Sequence, residues 1–138
     1  MGIRLVDKQI EIELQAHNEG KVTFEDLGAN EPSFHAEGGN LRMKVVIGAV
    51  NFDEFYRMPM LEFKYSENIH ESEWVVEFNG ENILERSDHS GHSTMLLFSR
   101  NRLKDLIQRH ENNLLIHGDF SEEVDIDLVQ SHFHLFGK

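Results

Sequence analysis

Leu41-Arg42-Met43-Lys44-Val45-Val46-Ile47 decides the fold class. Leu41, Met43, Val45 and Ile47 alternate with Arg42, Lys44 and Val46, which is the period of a strand with one face buried and the other wet. The same alternation recurs on both sides of this segment. Ile10, Ile12, Leu14 and Ala16 alternate with Glu11, Glu13 and Gln15. Asn18-Glu19-Gly20-Lys21 is a turn signal, and Val22 and Phe24 begin another strand, so this pair reads as an antiparallel hairpin. Residues 28–40 hold three glycines and a proline and read as a loop.

Downstream, Asn51 to Met58 reads as a helical turn, capped by Asn51 or Asp53 and stopped by Pro59. Leu61, Phe63 and Tyr65 form a strand. Trp74, Val76 and Phe78 form the next and end at Asn79-Gly80, a type I′ hairpin signal, with residues 82–85 returning. Residues 86–94 are polar and read as a loop. Met95 to Phe98 is a continuous apolar run, as in a strand buried on both faces.

One helix stands out. Ser99 is the N-cap, and Leu103, Leu106, Ile107 and His110 form one apolar stripe, with Asn112 or Asn113 as the terminating residue. Three strands follow: Leu114–His117, then Val124, Ile126 and Leu128, then Phe133 and Leu135. The first of these, with the helix and the run before it, fits either a βαβ crossover or a helix between antiparallel strands. The expected fold is therefore α+β and predominantly antiparallel β, a sandwich or open barrel, with one amphipathic helix near residues 100–111. The absence of repeats or linkers predicts a single domain over residues 1–138.

Composition narrows the function classes. The 138 residues carry a net charge of −12, yet Arg100, Arg102, Lys104 and Arg109 fall within ten positions. That field disfavours nucleic acid and anionic membranes. It favours a basic protein partner, or self-association of the basic helix with an acidic face of a second copy, as in a two-fold homodimer. The plainer alternative is a helix whose long side chains cover its own packing surface. With no cysteine, neither a disulfide framework nor a thiol nucleophile exists. The first residues lack the apolar core of a signal peptide, Gly2 lacks a hydroxyl residue at position 6, and no apolar run is long enough to span a bilayer, so a cytoplasmic location is expected.

Two constellations carry chemistry. Ser87-Asp88-His89-Ser90-Gly91-His92-Ser93 offers two imidazoles, and His132 and His134, two apart on one strand, supply two more. Together they are the candidate ligands of a divalent metal, and the chain would then be a small hydrolase-like enzyme on a β-barrel. The plainer reading is a polar loop and two solvated strand histidines. The second constellation surrounds Trp74. Glu71, Glu73 and Glu77, with Arg100 and Lys104 of the helix, make a candidate partner-binding surface. Against it, alternation assigns Trp74 to the core with Val76 and Phe78.

Asp119, Glu122, Glu123, Asp125 and Asp127 lack calcium-loop spacing. With 25 acidic residues, some pair of carboxylates at glycosidase spacing is nearly inevitable, so their number carries no weight. No Gly-x-Ser-x-Gly elbow, phosphate-binding loop or dinucleotide fingerprint occurs. The leading expectation is a non-catalytic binding module of inhibitor or immunity type. The metal-dependent enzyme stands second.

Overall fold

The computed structural model describes residues 9–14, 20–28, 33–36, 40–69, 72–121 and 124–137. They form two β-sheets and one short helix, the predominantly antiparallel architecture expected. The strands are β1 (Gln9–Leu14), β2 (Val22–Thr23), β3 (Ser33–Ala36), β4 (Asn40–Ile47), β5 (Phe55–Tyr65), β6 (Ser72–Phe78), β7 (Glu81–Asn82), β8 (Leu84–Ser90), β9 (Ser93–Phe98), β10 (Asn112–Phe120) and β11 (Val124–Phe136); the helix α1 is Arg100–Leu106. One sheet has the order β1-β4-β10-β6-β7, and the other β2-β11-β5-β9-β8, with β3 also on β11.

The alternation seen in the sequence sets the core. Leu41, Met43, Val45 and Ile47 of β4 are buried, as are Leu114 and Ile116 of β10, and Val76 and Phe78 of β6. Leu61 and Phe63 of β5, Leu96 of β9, and Phe133 and Leu135 of β11 are buried in the same core cluster. Phenylalanines knit it together: Phe24 stacks on Phe63 at 5.0 Å and Phe55 on Phe136 at 5.5 Å. Such pairs add roughly 0.5–1.5 kcal/mol each beyond the area they bury.

Several elements differ from the sequence reading. The hairpin expected from residues 10–24 does not form. β1 pairs with β4, in parallel, and β2 pairs with β11. Phe24 explains the choice, since it is fully buried against Phe63 and Phe133 and its N–H donates to the Ser131 carbonyl. Part of the glycine-rich loop is strand β3. The turn at Asn51 is shorter than expected: a single 3-10 turn, Phe52–Glu54, after which β5 begins. Pro59 lies inside β5 without breaking it. The β9 ladder stops at Met60↔Leu97 and the β11 ladder shifts register between His134 and Phe136, so no bond is asked of the missing N–H.

The polar stretch 86–94 is mostly strand, with β8 and β9 as a hairpin around Gly91, whose φ is 49°. α1 ends at Leu106, short of residue 111, and joins β9 of one sheet to β10 of the other, so there is no βαβ unit. The two last strands are a single strand, β11, with a bulge between Asp127 and Ser131. The Asp127 carboxylate accepts the N–H groups of Val129 and Gln130, and the Ser131 hydroxyl donates to the Asp127 carbonyl at 2.6 Å. Asn79-Gly80 makes the expected turn, with φ of 51° and 90°.

Candidate functional site

The departure of β9 from its sheet creates a groove. At Ser99 the chain turns into α1, and the Ser99 hydroxyl accepts the Arg102 N–H at 3.3 Å. β5 continues past the end of the β9 ladder to Phe55, paired there only with β11. A groove of about 610 Å³ results, lined by Arg57 and Met58 of β5, Glu85 and Arg86 of β8, Leu97 and Phe98 of β9, and Ser99, Arg100 and Asn101. Met58 is 56% exposed, the most exposed of the large hydrophobic residues among those described. Register puts Met60 beside Leu97, and Met95 between Glu62 and Asp88, on the same outer face.

This groove reverses the charge of the protein. It holds three arginines and one carboxylate in a chain of net charge −12. Arg86 pairs with Asp88 at 3.1 Å, with both side chains exposed and the pair correspondingly weak. Arg57 and Arg100 have no carboxylate partner among the described residues. The Arg100 guanidinium donates to the carbonyls of Phe52 and Phe55, each at 3.3 Å, and lies 3.9 Å above the Phe52 ring. The turn that presents those carbonyls is held by the Glu54 carboxylate, which accepts the Asn51 N–H at 2.8 Å. Neutral carbonyls orient the Arg100 cation without cancelling its charge.

The four expected metal ligands do not converge. His89 lies on β8 in register with buried Thr94, facing the inter-sheet side. Its Nε2 bonds the Ile69 carbonyl at 2.7 Å, and its Nδ1 lies 3.0 Å from the Thr94 hydroxyl. A carbonyl only accepts, so Nε2 carries the proton. In the neutral ring Nδ1 then accepts from Thr94, whose oxygen accepts the Tyr65 hydroxyl at 2.6 Å. Burial, partly offset by this bond and by Ser72 and Trp74, pushes the Tyr65 phenol up to about 12.

His132 and His134 sit on the opposite, outer face. His132 lies 3.3 Å from Glu62, and His134 stacks on Tyr56 at 3.7 Å. Burial, with Lys21 nearby, lowers the pKa of His134. β11 and β8 are three strand spacings apart, about 14 Å. His92 is exposed in the β8–β9 turn. Among the described residues no group of three or more His, Asp or Glu is placed to hold a metal.

The surface expected around Trp74 is altered as well. Trp74 is 8% exposed, stacked on Phe63 at 4.9 Å and edge-on to Phe120 at 5.5 Å, so it is not an exposed anchor. Glu73 is exposed and Glu77 half-buried on β6, while Glu71 lies outside the described residues. Arg100 and Lys104 both lie over Phe52, Lys104 at 5.2 Å. Two of the four cations, Arg100 and Lys104, thus lie against a ring of their own fold, while Arg102 and Arg109 are exposed. His110 is exposed beyond the helix end. Of the acidic cluster, Asp125 bonds His35, Asp127 holds the bulge, and Asp119 lies on the other sheet, 3.3 Å from His117; Glu122 and Glu123 lie outside the described residues.

Sequence reasoning missed Arg57, Met58, Arg86 and Leu97. The available signal was Arg57-Met58 before Pro59, a cation and a flexible apolar side chain in an otherwise acidic chain. No protein-family model matches the chain, and no curated protein matches its sequence.

Proposed function

We propose that this protein is a non-catalytic binding module that docks a partner on the outer face of its six-stranded sheet. The carrying observation is the groove itself, where exposed Met58 and the apolar Leu97 sit among Arg57, Arg86 and Arg100. Methionine and arginine are enriched at protein interfaces, and methionine adapts its shape to a partner. The expected basic partner at Glu71, Glu73 and Glu77 has weaker support, because Trp74 is buried and leaves that stretch without an anchor. A smaller groove of about 230 Å³ on the other sheet, with Val75 43% and Leu115 41% exposed beside Arg42 and Glu77, is the competing surface.

The test compares Met58→Asp with Val75→Asp, each checked for folding by circular dichroism. Both variants and the wild type are used as bait in extracts of the source cells. A stoichiometric partner kept by wild type and Val75→Asp, and lost by Met58→Asp, supports the reading. A partner lost only with Val75→Asp moves the site to the five-stranded sheet. A partner indifferent to both removes the proposal.

A further inference from the structure

We infer that the groove takes a short, extended acidic segment of a partner protein, its carboxylates set against Arg57 and Arg100 and an apolar side chain between them on Met58 and Leu97. This rests on the docking face proposed above and adds the chemistry of the occupant. Charge points to this occupant. Twenty-five acidic residues surround thirteen basic ones, yet neither Arg57 nor Arg100 has an ion-pair partner among the described residues. Two of the five N–H donors of Arg100 are engaged with carbonyls, which hold its plane fixed and leave donors over. A pre-oriented guanidinium suits a carboxylate, which it meets with paired hydrogen bonds.

The backbone points the same way. Beyond Met60, β5 has no β9 neighbour, so among the described residues its edge beside the groove carries no strand. Unpaired strand edges bind extended chains by main-chain hydrogen bonds, while alternate side chains confer specificity. In an extended segment lying alongside β5, successive side chains point to opposite faces as those of Arg57 and Met58 do, so a carboxylate meets Arg57 and the next, apolar, residue meets Met58. Its volume, about 610 Å³, holds a few residues and no more.

Charge also decides against other occupants. A nucleic acid would set a phosphate against the surrounding acidic surface at every step beyond the groove. A short segment keeps its few charges within a Debye length, about 8 Å at physiological salt, of the arginines. A second copy, acidic overall, would set acidic surface against the acidic surface around the groove.

The probe is a fluorescein-labelled, end-blocked peptide alternating Glu and Leu over seven residues, with a Gln/Leu control, read by fluorescence anisotropy at 0.15 M salt. The full chain is used with Arg57→Gln, Met58→Ser and, on the opposite sheet, Arg42→Gln. The acidic peptide is expected to bind wild type at least about tenfold more tightly than the Gln peptide, and Arg57→Gln is expected to lose about tenfold, near 1.4 kcal/mol. Met58→Ser should weaken both peptides, and Arg42→Gln should change neither by more than about twofold.

Equal affinity for the two peptides, no response to Arg57→Gln, or no binding at millimolar peptide overturns the inference. So does a dimer in sedimentation that Arg57→Gln dissolves, which would give the groove to a second copy. If Met58→Asp abolishes partner capture while Arg57→Gln leaves it intact, the docking face stands and its acidic occupant falls. If Met58→Asp leaves capture intact, the docking face itself is wrong.

Discussion

Gly118→Ala tests the packing of the core at one atom. Gly118 lies in β10 directly across from Trp74 in β6, and both face inward. A Cβ added there would lie 2.8 Å from Cζ3 of the indole and 3.0 Å from Cε3 and Cη2. Two effects compete. The backbone at Gly118 is not in the left-handed region, so alanine would reduce the freedom of the unfolded chain and stabilise by about 0.4–1 kcal/mol. Against that, the indole cannot yield, since Phe63 stacks on it and Phe120 abuts it edge-on. Overpacking of a filled core costs about 1–3 kcal/mol, so the clash wins. With roughly 2.1 cal/mol/K of unfolding entropy per residue over 138 residues, each kcal/mol at the midpoint is about 3 °C, and Tm should fall by about 3–10 °C.

The assay is thermal melting by circular dichroism together with emission from Trp74, the only tryptophan in the chain. A displaced indole should change the emission of the folded state. The control is Gly118→Ala in a Trp74→Leu background, where the clashing atoms are gone and the penalty should vanish. A Tm unchanged or raised in Gly118→Ala, with the same emission, would refute the close approach. An equal loss in both backgrounds would place the strain somewhere other than the indole.

Tyr65, His134 and Asn112 give three further outcomes. With its phenol pushed up to about 12 in the fold and near 10 when unfolded, Tyr65 contributes stability that is whole below pH 10 and lost as pH rises toward 12, about 2–3 kcal/mol in all. Urea melts from pH 9 to 12 should therefore fall more steeply for wild type than for Tyr65→Phe. His134 has the opposite sign: its pKa is lowered by burial, then by Lys21, so its contribution is whole above about pH 6.5 and is lost as pH falls. His134→Phe, which can keep the stack on Tyr56, should flatten the stability profile between pH 7 and 4.5. Asn112 is fully buried, its amide donating to the carbonyls of Gly48 and Gln108 and accepting from Gln108 N–H and Asn79. Asn112→Ala should cost about 1–3 kcal/mol in urea denaturation, because it strands those groups without partners.

Strand content was legible because alternation reports burial directly, and β4, β6 and β11 on either side of its bulge follow it, as far as Leu135. Pairing was not legible. The parallel partnership of β1 with β4 and the removal of β2 to β11 are set by which aromatic fills which hole, as Phe24 shows, and alternation is silent on that. The polar β8 was missed for a related reason. It is an edge strand with neither face fully covered, so its sequence carries no apolar period to detect. β11 split in two in the sequence reading because Val129-Gln130 interrupts the alternation, and only the side chains of Asp127 and Ser131 reveal a bulge rather than a turn.

The candidate site was hidden by its dispersion. Arg57, Arg86 and Arg100 come from three elements separated by 29 and 14 positions, and each is ordinary in its own neighbourhood. Clustering along the chain pointed instead to residues 100–109, where proximity in sequence does not become a shared surface. Arg100 and Lys104 turn onto Phe52, and Arg102 reaches toward Glu81 at 3.9 Å. The histidines failed for the same geometric reason, since β8 and β11 lie three strands apart and present His89 and His132 to opposite faces. The run of four cations is thus dispersed over different neighbours, and only Arg100 of the four lines the groove. The groove arises where β9 leaves the sheet, and its arginines are gathered by strand register.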